Sequence, residues 1–117
     1  MAGIYNFKLD QGSDKDITLT FYTDTTKTET IDLSGYHWKM QLRKQKDDIS
    51  YIDELSDTNS RIDITDAATG IIILKFPNAS SSKYDFEKCY YDLESINGTS
   101  INREIEGQIT LNKEVTR

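Results

Sequence analysis

At 117 residues and a formal net charge of −6, the chain is of one-domain size, long enough to bury roughly two-thirds of its unfolded surface around a single core. One cysteine excludes an intrachain disulfide, and the longest apolar run, residues 71–74, is far too short for a membrane-spanning helix. Lysines and arginines are dispersed; the nearest cluster, Lys39, Arg43, Lys44 and Lys46, runs straight into Asp47 and Asp48, so the basic stripe of a nucleic-acid binder is missing.

The N-terminal MAGIYNFKLDQG has neither a basic leader nor an apolar stretch of signal-peptide kind, and the chain is expected to be made in the cytoplasm and to stay soluble. Tyr5, Phe7 and Leu9 alternate with Asn6 and Lys8; after the Gly12-containing loop, Ile17, Leu19 and Phe21 alternate with Thr18, Thr20 and Tyr22. Two alternating runs split by such a loop predict a pair of antiparallel strands. Residues 23–30 are polar and threonine-rich, an exposed loop or hairpin tip. Ile31 and Leu33 lead into a Ser34-Gly35 turn.

Beyond that turn the alternation is strict. Tyr36, Trp38, Met40 and Leu42 fall on one side; His37, Lys39, Gln41 and Arg43 fall on the other. A period of two means a strand with one buried and one solvated face. The only tryptophan lies in the buried set, so this strand is expected to anchor the core. Next, Ile49, Tyr51 and Ile52 predict a weaker edge strand, with Asp53 and Glu54 toward water. Residues 56–60 read as a loop, Ile62 and Ile64 as a short strand, and residues 66–70 as a turn with Gly70 free to take positive φ.

The β-branched run Ile71-Ile72-Ile73-Leu74-Lys75-Phe76 predicts a strand covered on both faces or an inner strand paired on both edges. Pro77 halts it, and residues 78–82 suit one helical turn, capped by Asn78 or a serine, crossing between two sheets. Cys89, Tyr91 and Leu93 then alternate with Tyr90, Asp92 and Glu94. Asn97-Gly98 predicts a type I′ hairpin. The returning strand sets Ile105, Gly107, Ile109 and Leu111 on one side, and the tail from residue 112 offers only Val115 to the core. About seven to nine short strands, and no sustained helical period, mark an all-β sandwich or a small Greek-key barrel over residues 1–117.

Placed on these strands, YNFKLDQGSDKDITLTF (residues 5–21), IDLSGYHWKMQLR (31–43), ITDAATGIIILKF (64–76), YYDLESINGTSINREIEGQITL (90–111) and a terminal EVTR carry a resemblance. The chain resembles small immunoglobulin-like β-sandwich virion proteins of tailed phages, encoded among tail, baseplate and fibre genes. More distantly it is similar to the N-terminal domain of siphophage baseplate upper proteins. It departs from the pattern where Lys83-Tyr84-Asp85-Phe86-Glu87-Lys88 replaces a proline-glycine connection. The resemblance implies a single immunoglobulin-like antiparallel β-sandwich, a structural or adaptor role and protein partners, and it brings no catalytic residues.

A cysteine nucleophile needs its base within hydrogen-bond reach, yet Cys89 shares the inward phase of Leu93 while His37 is out of phase with Trp38. One histidine and one cysteine fall short of a zinc tetrad. Asp57, Asn59 and Asp63 are partly spaced for calcium, but Arg61 interrupts them and no glycine follows. Asp53, Glu54, Asp92, Glu94, Glu104 and Glu106 read as a solvated carboxylate face rather than a glycosidase pair.

Seven tyrosines stand out, and Tyr22, Tyr36, Tyr84, Tyr90 and Tyr91 are too many for one interior. Interface placement and cross-strand packing account for them equally well. The expectation is therefore a non-enzymatic phage structural protein of the virion, an adaptor of the tail, baseplate or tail-fibre attachment without cofactor or metal. Its partners are expected to be other virion proteins, with self-association into a homo-oligomer as a further option, and neither nucleic acid nor membrane. His37, Lys39, Gln41, Arg43 and Tyr90 form the candidate interaction surface. A head decoration protein and a carbohydrate-binding module are the alternatives.

Overall fold

The computed structural model describes residues 3–23, 26 and 29–115. Its strands are β1 (Gly3–Ile4), β2 (Phe7–Asp10), β3 (Lys15–Thr20), β4 (His37–Arg43), β5 (Asp53–Ser56), β6 (Ile62–Asp63), β7 (Ile71–Phe76), β8 (Lys88–Asn97) and β9 (Ser100–Asn112). They form two sheets. The larger runs β1-β9-β8-β4-β5, with β2 also on β9, and the smaller runs β3-β7-β6. The fold is an all-β sandwich, with β4, β8 and β9 in one sheet and β3, β7 and β6 in the other.

β4 anchors the core as expected, as an inner strand paired on one side with β8 and on the other with β5. Trp38, Met40 and Leu42 are buried, and they meet Ile72, Leu74 and Phe76 of β7 in one apolar cluster. β7 is the inner strand of its sheet, between β3 and β6, and only alternate residues are fully buried: Ile72, Leu74 and Phe76. Phe7 joins the layers, its ring 5.8 Å from Phe76 and 5.3 Å from Tyr91. The Trp38 indole lies 5.3 Å from Phe21, and its Nε1–H is a buried donor with no hydrogen-bond partner among the described residues. Gly70 holds φ 82° as expected, ending the 3-10 turn Ala67–Thr69.

Several expectations are corrected. The first two alternating runs do not pair with each other: β2 runs parallel to β9, and β3 lies antiparallel to β7 in the other sheet. Alternation fixes which face is buried but not which strand lies alongside. The Gly12 loop is accordingly a crossing between sheets, tied down by Gln11 Nε2 donating to the Tyr84 carbonyl (2.7 Å) and Gly12 N–H donating to Ser81 Oγ (3.2 Å). The edge strand after β4 begins later than predicted. Ile49 is wholly exposed, because the Arg43 guanidinium donates to the Asp48 and Ile49 carbonyls (2.7 and 3.0 Å) and holds that stretch as a turn, leaving Leu55 to face Met40.

The helical turn after β7, α1 (Asn78–Ser81), does cross between the sheets, but Pro77 is its N-cap. Asn78 instead bonds Asp14 through its backbone N–H and its side chain (2.7 and 3.0 Å). In the β8–β9 hairpin Asn97 pairs with Ser100, so the two loop residues are Gly98 and Thr99. Only Gly98 has positive φ (64°), as in a type II′ turn. Val115 is 92% exposed and adds nothing to the core. Of the polar loop at 23–30, Tyr22 bridges Thr30, and residues 24, 25, 27 and 28 lie outside the described residues.

Candidate docking face

The solvent side of the larger sheet gathers the functional candidates. Register places Gln41 of β4 across from Asp92 of β8, itself across from Glu106 of β9, while Arg43 faces Tyr90 and Tyr90 faces Gln108. Lys46, in the turn after β4, folds back so that its Nζ lies 5.6 Å from the centre of the Tyr90 ring and 3.8 Å from Glu106. Arg103 of β9 reaches Asp92 at 3.3 Å and Glu106 at 4.0 Å. At the other margin Arg43 donates to Gln41 Oε1 (2.7 Å), and Gln41 Nε2 donates to Glu54 (2.6 Å).

These side chains enclose a shallow hollow of about 150 Å³, lined by Gln41, Arg43, Lys46, Tyr90, Asp92 and Arg103 among others. A second hollow of about 190 Å³ shares Lys46, Tyr90 and Glu106 with it and extends to Ile4, Asn6 and Gln108. Together they make a groove across β4, β8, β9 and the N-terminal strand. Three cations, Arg43, Lys46 and Arg103, balance Glu54, Asp92 and Glu106, so the groove is locally neutral on an acidic chain. It offers hydrogen bonds and tyrosine surface, with the ammonium of Lys46 over the ring.

Of the sequence-predicted residues, Gln41, Arg43 and Tyr90 come together here. His37 and Lys39 share the face but lie beyond the groove. His37 Nδ1 is 2.7 Å from Asp57 Oδ2, and the other Asp57 oxygen accepts the Trp38 N–H (2.9 Å). Burial works against the Asp57 charge, but the Trp38 amide and the His37 ring outweigh it and hold the carboxyl below the usual range. Arg103 was not legible as part of this face. A bulge shifts the register between Leu93 and Glu94, taking the pairing from Leu93–Ile105 to Glu94–Arg103. Without it residue 103 would share the inward phase of Ile105. Lys46 sits in a turn, where no periodicity points to a face, whereas Asp92 and Glu106 were readable as outward.

The remaining candidate chemistries are dispersed. Cys89 is buried among core residues, and burial pushes its thiol up to about 12, far from the exposed His37. Asn59 bonds the backbone of Ser56 and Glu54, and Asp63 bonds Thr65, so the partly calcium-like triplet is engaged locally. Among the described residues no group of three or more His, Cys, Asp or Glu side chains is placed to hold a metal ion. Asp53 accepts from Arg61 (2.9 Å) and from the Tyr84 hydroxyl (2.5 Å), fastening the aromatic connection before β8 to the sheet edge. The sequence matches no protein-family model and no curated protein.

Proposed function

We propose that this protein is a non-enzymatic structural component of a tailed-phage virion, an adaptor of the tail, baseplate or fibre attachment that binds other virion proteins through the outer face of its larger sheet. One observation carries the reading: the groove across β4, β8 and β9 brings half-buried Tyr90, Gln41 and Arg43 together with both charge signs, next to the exposed Ile4. Tyrosine and arginine are enriched at protein interfaces, where rigid area with a polar rim gives specificity. The resemblance to small immunoglobulin-like virion proteins supports the location. Within that role the groove suits a polar protein surface with its own mixed charges.

Mass spectrometry and immunogold labelling of purified particles test the location. The chain is expected in the virion with label on the tail; its absence from particles would sink the proposal, and label on the head would replace it with a decoration role. Tyr90→Ala and Arg43→Glu, folded normally, are expected to lose co-purification with tail proteins. The half-exposed Tyr90 ring beside hydrogen-bonding side chains also suits a sugar. Binding on a glycan array, abolished by Tyr90→Ala, would move the assignment to a carbohydrate-binding module.

A further inference from the structure

The outer edge of β3 presents a run of backbone groups that no described residue partners. Its ladder with β7 is unbroken from Lys15–Phe76 to Thr20–Ile71, and Phe21 N–H continues it by donating to the Gly70 carbonyl (2.8 Å). That phase turns the backbone groups of residues 15, 17, 19 and 21 toward β7, and those of Asp16, Thr18 and Thr20 away from it. The described residues that follow leave this edge open. Ile31 N–H donates to the Phe21 carbonyl and Thr23 N–H to the Glu29 carbonyl, both through residues of the β7-facing phase. Asp16, Thr18 and Thr20 are all exposed.

The other described edges carry protection, and the Ser100–Arg103 end of β9, unpaired on its outer side, is set off by the bulge at Glu104. On β5, Asn59 Nδ2 donates to the Glu54 carbonyl and Asn59 Oδ1 accepts from Ser56 N–H, both at 3.0 Å. β6 is only two residues long. The N-terminal edge is interrupted between β1 and β2, where Asn6 turns its side chain onto the Gln108 N–H (2.8 Å). β3 has six residues without proline or bulge, and among the described residues no side chain bonds to its outward backbone groups.

We infer that β3 pairs antiparallel with β3 of a second copy across a twofold axis at Thr18, fusing the two three-stranded sheets into one. This register sets Thr18 against Thr18 and Asp16 against Thr20 of the second copy, and each such pair exchanges both backbone bonds. Facing threonines are a favourable cross-strand pair. On the core side Ile17 falls opposite Leu19 of the second copy, covering a leucine that is only half-buried in the single chain. Centring the axis on Asp16 would oppose two carboxylates, and centring it on Thr20 leaves Asp16 beyond the paired stretch. A lone strand pair buries less than a standard interface, so the pairing is weak in free solution and strengthens where copies are held together. It involves the sheet opposite the docking face, so it stands or falls independently of what that face binds.

Sedimentation velocity of the purified chain over rising concentration tests it, alongside Thr18→Pro and Thr18→Asp. The proline removes an N–H that points away from β7 and so spares the internal ladder. The aspartate, which keeps the backbone intact should the proline misfold, sets like charges face to face on the axis. Wild type is expected to shift toward dimer while both variants stay monomeric. Thr18→Cys is expected to cross-link with diamide, its Cα atoms about 5.5 Å apart on the axis. Thr20→Cys is not, since its two copies lie about 14 Å apart in this register. A wild type monomeric at every concentration overturns the inference. So does Thr20→Cys cross-linking as readily as Thr18→Cys, or a monomeric chain whose Thr18→Pro variant loses capture of a different protein, which would assign the edge to a donated strand.

Discussion

The carbonyl oxygen of Tyr5 lies over Gly107, 2.1 Å from where a Cβ on that residue would stand. The N-terminal segment reaches this close by bonding on both sides of the contact. Tyr5 N–H donates to the Glu106 carbonyl (3.0 Å), Gln108 N–H donates to Asn6 Oδ1 (2.8 Å), and the buried Tyr91 hydroxyl donates to the Tyr5 carbonyl (2.5 Å). Gly107 is thus a site of close backbone approach, and it decides that β1 and β2 can lie along β9.

Gly107→Ala forces that backbone apart and is expected to cost about 1–3 kcal/mol, as overpacking does. Tyr91→Phe leaves the Tyr5 carbonyl without its donor, for about 1 kcal/mol. The double variant should lose less than the sum, because both act on the same segment. Urea denaturation of the three proteins checks this; full additivity would show the contacts to be uncoupled.

Arg61 and Tyr84 converge on Asp53, with the Arg61 and Asp53 side chains 17% and 20% exposed. Tyr84→Phe is expected to cost about 1–1.5 kcal/mol and Arg61→Ala about 1–3 kcal/mol, since the latter leaves a largely covered carboxylate short of a partner. Hydrogen exchange should localise the loss to β5 and the connection before β8. Unchanged protection there would remove the fastening role.

Cys89 is completely buried, and its thiol is raised to about 12. The native protein is expected to resist thiol reagents at pH 8, with modification only after unfolding. Because the folded value exceeds the unfolded one of about 8.5, this group's contribution to stability is complete below that pH and declines as the pH rises. Burial likewise raises the Tyr84 and Tyr91 phenols, extending the decline above about pH 10. Stability measured from pH 7 to 11 should fall with a shallower early slope in Cys89→Ala; rapid native labelling would contradict the core assignment.

Asp57 behaves with the opposite sign. Its carboxyl is held below the unfolded value of about 3.9, so its contribution is present above that pH and is lost as the pH drops through the folded value. Asp57→Asn should be less stable than wild type at pH 7 and approach it at pH 3. A gap that does not narrow in acid would show that the charge is not what the Trp38 amide and His37 respond to.

Period-two patterning made the layers legible. Trp38, Met40 and Leu42, or Cys89, Tyr91 and Leu93, announce their buried side because a strand exposes alternate residues to opposite faces whatever lies beside it. Gly35 and Gly70 marked turns for an equally local reason, and both hold the positive φ that glycine permits. Most of the candidate face, Gln41, Arg43, Tyr90, Asp92 and Glu106, was readable in the same way, as the outward phase of three strands.

Local alternation and turn chemistry set the all-β class, the inward residues and most of the outward ones. Tertiary structure alone decided the partners. The parallel docking of β2 on β9 rests on Gly107 accepting the Tyr5 backbone, a contact between residues 102 positions apart that no local pattern encodes. The bulge opposite Leu93 and Glu94 turned Arg103 outward, and the turn after β4 brought Lys46 over Tyr90. Strand order, register and the meeting of turn residues with strand faces depend on long-range packing, where many pairings satisfy the same alternation and only the filled core selects one.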